Sequence, residues 1–260
     1  MRAPASRRQH DHQASLAAPQ NCPGKGDHLN LKLRGMREAL RQQAETPQQA
    51  DMAFEDRLAM LVGAEELHRQ NARKDRLLRA AKLRVQAHPE ELTYGSDRNL
   101  DKSLTTRLLS CDWIGRHQNV LITGKSGTGK TWLGCCLGMQ AVRNGISVSY
   151  RMVSRLLEEF EIAHIEGTTA KLRAQYKRAD LLILDDFGVS KLKAMGKHDL
   201  LELLDDRIGE RATIVCGQLP VENWHAFIDN PTIADAILDR LTSAAHRIEL
   251  SGPSLRRKAI

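Results

Sequence analysis

Asn119-Val120-Leu121-Ile122-Thr123 runs into Gly124-Lys125-Ser126-Gly127-Thr128-Gly129-Lys130-Thr131, and Trp132-Leu133-Gly134-Cys135-Cys136-Leu137-Gly138-Met139 follows. The middle segment has the pattern G-x-x-x-x-G-K-[ST], which wraps nucleotide phosphates. The residue types follow from that chemistry. Gly124, Gly127 and Gly129 allow backbone conformations that turn several N–H groups toward one anion, with Lys125, Ser126 and Thr128 completing the loop. Lys130 is spaced to bring its ammonium to the β- and γ-phosphates, and the Thr131 hydroxyl to ligate Mg²⁺. A glycine-rich turn can match so short a pattern by chance, so its context decides. The run before it is apolar and β-branched, as a buried strand is. The run after it continues to Val142 and stops at Asn144-Gly145. It reads as a buried helix with a glycine stop, its positive N-terminal end facing the same phosphates.

Leu181-Leu182-Ile183-Leu184-Asp185-Asp186 reads as the second half of one site. Four aliphatic residues ending in two acids describe a central strand with carboxylates at its C-terminal edge, where open α/β sheets bind ligands. Asp185 is placed to hold Mg²⁺, directly or through water, and Asp186 to polarise an attacking water as general base. A helix cap explains one aspartate but not the apolar approach to both.

Around these two segments the chain alternates strands and helices. Strands are expected at 146–152, 212–216 and 246–250, and helices at 153–164, 168–178, 196–208, 221–228 and 233–243. Such alternation implies a parallel sheet with helices on both faces. Ahead of it, 29–88 reads as a small all-α module. Its first helix has Leu33, Met36 and Leu40 on one face; its second has Phe54, Leu58, Leu61 and Val62 on its apolar side. Residues 1–28 are polar, with three prolines, and read as a disordered tail; 89–102 reads as a linker to a nucleotide domain at 103–260.

The formal charge is +7, from 39 basic and 32 acidic residues. Residues 1–117 hold 20 basic and 15 acidic side chains, so +5 of it lies there. Between Leu67 and Arg84, seven basic residues oppose only Asp75. Arg69, Arg73 and Arg76 recur at helical spacing and form one cationic face, with Lys82 beyond. Such a face suits a DNA backbone, although a solvated helix surface uses charge the same way. Aromatic residues make up 4%, which argues against a base-stacking platform for single strands. No apolar run is long enough for a membrane span, and no apolar stretch follows the N-terminal arginines as a secretory signal needs. Five cysteines with no C-x-x-C pair read as buried thiols in a reducing compartment, so the expected location is cytoplasmic.

Several stretches together resemble the AAA+ ATPases of the IstB type, helper proteins of insertion-sequence transposases and relatives of the DnaC helicase loaders. They are LSCDWIGRHQNVLITGKSGTGKTWL at 109–133, ADLLILDDFG at 179–188, ATIVCGQLPVENWH at 212–225 and NPTIADAILDRLTSAAHRIELSGPSLR at 230–256. The resemblance implies a P-loop AAA+ sheet without a C-terminal helical lid, since only ten residues follow the last expected strand. It implies that Arg240, in Asp239-Arg240-Leu241, is an arginine finger reaching the γ-phosphate bound by an adjacent copy. On the residues alone, a salt bridge to Asp235 or Asp239 serves as well. It places Gln218 at the position that orients water, and Arg256 in a C-terminal signature that contacts phosphate; a turn before Pro220 and a merely basic tail are the plain alternatives. Cys216-Gly217 and the basic segment after Gly188 depart from the family pattern, and residues 1–28 have no counterpart in it.

The function expected is that of an Mg²⁺-dependent ATPase that oligomerises on duplex DNA and assists a transposase in choosing its target. A DnaC-like helicase loader would use the same motor with a ring helicase as partner. A small-molecule phosphotransferase would need an acceptor pocket and an arginine-bearing lid, and neither is visible in the sequence.

Overall fold

The computed structural model describes residues 31–46 and 51–255. The expected tail at 1–28 and Arg256 lie outside the described residues. Helices α1 (Arg34–Glu45) and α2 (Phe54–Ala81) come first, then α3 (Lys102–Leu109), α4 (Asp112–Gly115) and β1 (Asn119–Gly124). Next are α5 (Lys130–Arg143), β2 (Val148–Met152), α6 (Val153–Glu166), α7 (Thr169–Arg178) and β3 (Leu181–Phe187). The chain continues through α8 (Ala194–Asp205), β4 (Ala212–Gly217), α9 (Trp224–Ile228), α10 (Pro231–Thr242) and β5 (Ala245–Leu250). The chain divides into two compact units, and the division falls inside α2, between His68 and Arg69.

All five strands are parallel, in the order β2-β3-β4-β1-β5. Side-chain alternation along each strand builds a core on each face. Val120, Ile122, Ile183, Ile214 and Cys216 point to one face and pack with α3, α4 and α5. Leu121, Leu182, Leu184 and Val215 point to the other and pack with α6, α8, α9 and α10. Helix α5 approaches the sheet closely through glycine: a Cβ on Gly134 would stand 2.9 Å from the Cys216 Sγ. Gly124 ends β1 at φ +144°, and a Cβ there would meet the Leu250 carbonyl oxygen at 2.2 Å. No other residue fits that junction, so the turn out of β1 is fixed by this glycine.

Three expectations change. Residues 89–102 are packed rather than a free linker. Leu100 is buried, and the nearly buried Arg98 donates from Nη1 to the Thr93 carbonyl at 2.9 Å. Ala81 and Ala87 are also buried, with Leu83 and Val85 against the same core, so the sheet unit begins well before residue 103. The helix expected to reach 208 ends at Asp205, because Arg207 turns inward and bonds carbonyls of neighbouring segments. The strand expected from 146 starts at Val148: the Ile146 amide closes the end of α5 on the Ala141 carbonyl, and Ser147 bonds the Asp180 carboxylate.

The first unit is tied by polar contacts. Glu65 accepts from the amides of Gly35 and Met36 at the start of α1, at 2.9 and 3.2 Å, where a helix N-terminus favours a carboxylate. The apolar sides expected to form its core are largely outside it: Leu40, Phe54, Leu58 and Val62 are exposed.

Candidate nucleotide site

The loop between β1 and α5 stands at the C-terminal end of β1, and β3 ends two strands away, beyond β4. A cleft of about 530 Å³ opens there, lined by Ser126, Gly127, Gly129, Lys130, Thr131, Trp132, Asp186, Gln218 and Arg84 among others. That volume is of the size that holds a nucleotide-sized ligand. Gly124, Lys125 and Thr128 shape the loop from behind: the Thr128 hydroxyl donates to the Lys125 carbonyl at 2.9 Å. The Lys130 ammonium donates to the Gly124 and Lys125 carbonyls at 2.8 and 2.9 Å. It is thus held at the loop it is expected to serve. The tail after β5 backs the loop, with the Leu255 amide on the Gly127 carbonyl at 3.0 Å.

The two acids of β3 have different surroundings. Asp185 is buried, and its Oδ2 accepts from the Thr131 hydroxyl at 2.8 Å and from the Tyr150 hydroxyl at 2.7 Å. Burial, then the hydrogen bond to Asp185, pushes the Tyr150 phenol above its ordinary range, so it stays a donor. Asp186 is partly exposed, on a left-handed backbone at φ +58°. The cause is a bulge. β3 pairs with β4 at Leu184↔Val215 and resumes at Phe187↔Gly217, so Asp185 and Asp186 together oppose Cys216. The extra residue aims Asp186 out of the ladder and into the cleft. Gln218 follows the last residue of β4 and lines the same cleft.

Thr131 and Asp185 fit a magnesium ion by the chemistry of their donors. A hydroxyl and a carboxylate oxygen 2.8 Å apart are hard ligands of the kind Mg²⁺ takes, beside a loop built for phosphates. The cysteines offer no competing chemistry. Cys111, Cys135, Cys136 and Cys216 are free and buried, and burial pushes the Cys136 thiol up to about 12. Among the described residues, no group of three or more His, Cys, Asp or Glu side chains is arranged to hold a metal.

Arg240 stands elsewhere. Its backbone carbonyl accepts from the Asn119 side chain at 3.0 Å, and Asn119 is the first residue of β1 while the phosphate loop leaves its last. Five strand steps separate the two ends, about 17 Å at the usual rise. Its guanidinium pairs with Asp205 of α8 at 2.5 Å and with the Ala236 carbonyl at 2.8 Å, rather than with Asp235 or Asp239. The cationic row lies on α2: Arg69, Arg73 and Arg76 are exposed, and Arg73 donates to the Gly145 carbonyl at 3.3 Å. Lys82 follows the helix end at φ +51°, off that row.

Residues 27–260 match the family described as IstB-like ATP binding protein. The chain belongs to this family. It is similar to the insertion-sequence ATP-binding protein y4pL of Sinorhizobium fredii, 45% identical over 232 residues, or 89% of this chain and 95% of that one. The IS1162 ATP-binding protein of Pseudomonas fluorescens is 43% identical over 191 residues, 73% of this chain and 83% of that one. A crystal structure of the DnaC helicase loader superposes with a TM-score of 0.56 at 14% identity, over 68% of this chain and 99% of that one. AMPPCP-bound DnaA from Aquifex aeolicus superposes with a TM-score of 0.54 at 22% identity, over 67% of this chain and 53% of that one. These likenesses are of fold, the AAA+ sheet.

In this IstB-family chain three site residues escape sequence reading. Tyr150 reaches Asp185 diagonally across the β2–β3 pair, a contact only the register reveals. Asp205 meets Arg240 from another helix. Arg84 is one charge of a basic run in the sequence; in the structure its Nη1 lies 3.0 Å from Asp186 Oδ2 and 3.9 Å from Asp185 Oδ2. Hydrogen bonding to Tyr150, then to Asp186, raises its pKa against the effect of burial.

Proposed function

We propose that this chain is the ATP-dependent regulator of an insertion sequence. It binds ATP with Mg²⁺ in the cleft, oligomerises on double-stranded DNA, and assists the transposase of the same element in target selection. Hydrolysis then ends the assembly. The observation that carries the reading is the division of the machinery across the sheet. Loop, lysine, metal ligands and base meet at one edge, while Arg240 stands about 17 Å away, past the reach of its own side chain. A head-to-tail neighbour brings that edge to the cleft of the next copy.

The geometry supports the following roles. Lys130 exchanges its carbonyl partners for the β- and γ-phosphates. Thr131 and Asp185 would hold Mg²⁺, which would neutralise charge on the phosphate oxygens. Asp186, projected by the bulge, accepts a proton from the attacking water, which Gln218 orients. Arg240 of the adjacent copy neutralises charge that develops in the transition state. The row of Arg69, Arg73 and Arg76 on α2 supports contact with DNA phosphates. Kinship to insertion-sequence proteins supports the transposase as partner.

The test is the ATPase rate of the purified chain with and without duplex DNA across protein concentration. A rate that rises with both is expected, and a rate indifferent to both refutes the reading. Pull-down against a transposase and against a ring helicase separates it from a DnaC-like loader.

A further inference from the structure

Arg84 lies three residues past the end of α2, between Leu83 and Val85, which pack against the core on one face of the sheet. Both neighbours are anchored, so the side chain at 84 is directed to the cleft wall. Its guanidinium faces both acids of β3: Asp186 Oδ2 at 3.0 Å and Asp185 Oδ2 at 3.9 Å. That Asp185 oxygen is the one bonded by Thr131 and Tyr150. The cation therefore stands on the side of the acid pair where the hydroxyl and carboxylate donors converge. Its hydrogen bond to Asp186 holds the guanidinium there, and a cation that close to an oxygen repels a divalent ion bound to it, so the Asp186-held arginine and the ion compete.

We propose that Arg84 is an internal counter-ion of the acid pair, exchanged for the metal when magnesium and triphosphate load. Its departure from Asp186 leaves that carboxylate free to face water. The site is thus armed by its own substrate, and the base is masked until loading is complete. The proposal rests on the reading of the cleft as a magnesium–ATP site.

The experiment measures binding of a fluorescent ATP analogue to the full-length chain while Mg²⁺ is titrated. A partly exposed ion pair is weak, so Arg84→Ala is expected to lower the half-saturating Mg²⁺ roughly fivefold, with Arg84→Lys in between. The effect must run through Asp186: in an Asp186→Asn background, Arg84→Ala is expected to give less than half that shift. Thermal unfolding of each variant checks that the fold is intact. An unchanged or raised Mg²⁺ requirement in Arg84→Ala, with nucleotide still bound, overturns the proposal. So does a full shift that persists without Asp186. Failure of the unaltered chain to bind the analogue at any Mg²⁺ concentration sinks the ATP reading itself.

Discussion

Mixing two inactive variants tests whether Arg240 acts between copies. In Arg240→Ala the cleft keeps Lys130, Thr131, Asp185 and Asp186, and in Asp186→Asn it keeps the arginine for a neighbour. Alone, loss of an arginine finger is expected to cost about 10³–10⁵ in rate, and loss of the base leaves turnover near background. The magnitude for the mixture follows from geometry. Arg240 is bonded to Asn119 at the start of β1, and the cleft opens beyond Gly124 at its end, so no chain serves itself. A competent site needs an Arg240→Ala chain in its cis half and an Asp186→Asn chain next to it. Random head-to-tail mixing at equal amounts makes about one quarter of sites competent. Phosphate release is measured at constant total chain while the ratio is varied. The curve should rise from near zero, peak at equal amounts close to a quarter of the unaltered rate, and fall again. A mixture no more active than its components would refute action in trans, as would full turnover of Arg240→Ala alone.

Other outcomes follow from single side chains. Tyr150→Phe removes one donor from the buried Asp185 carboxylate while Thr131 remains; it should lower stability by about 1.5–3 kcal/mol in urea unfolding. Arg207→Ala strips partners from the Tyr176, Ala179 and Ala212 carbonyls and from the Thr213 hydroxyl in a dry interior. A loss above ~3 kcal/mol is expected, and Arg207→Lys, without the planar fork, should recover only part of it. Replacing Arg69, Arg73 and Arg76 with alanine should weaken duplex DNA binding and reduce its logarithmic salt slope by about one for each DNA phosphate left without its arginine.

The phosphate loop and the acid strand were legible because each is local. A central strand buried on both faces is written as an unbroken aliphatic run, and its terminal residues fall by default at the ligand edge. Pairings across the fold left no such mark. Arg84 looked like one charge among seven, and nothing in the row announces that it leaves the helix to meet Asp186. The bulge depends on the register of β3 against β4, which neither strand records alone. The segment at 89–102 reads as a linker from its proline and polar residues, yet Arg98 and Leu100 bury it. Helical periodicity correctly located α1 and α2, but not burial: Phe54 and Val62 keep the spacing of a core face while remaining exposed.

The bulge in β3 separates activity from architecture. The ladder closes again at Phe187, so Asp186, the proposed base, has a side chain that carries no part of the core. On the proposed reading, a copy with a spoiled base is expected to fold normally, keep its surfaces and still offer its arginine to a neighbour. Cells that carry several copies of such an element would hold dead subunits that enter every assembly, and a few of them suffice to dilute the living ones.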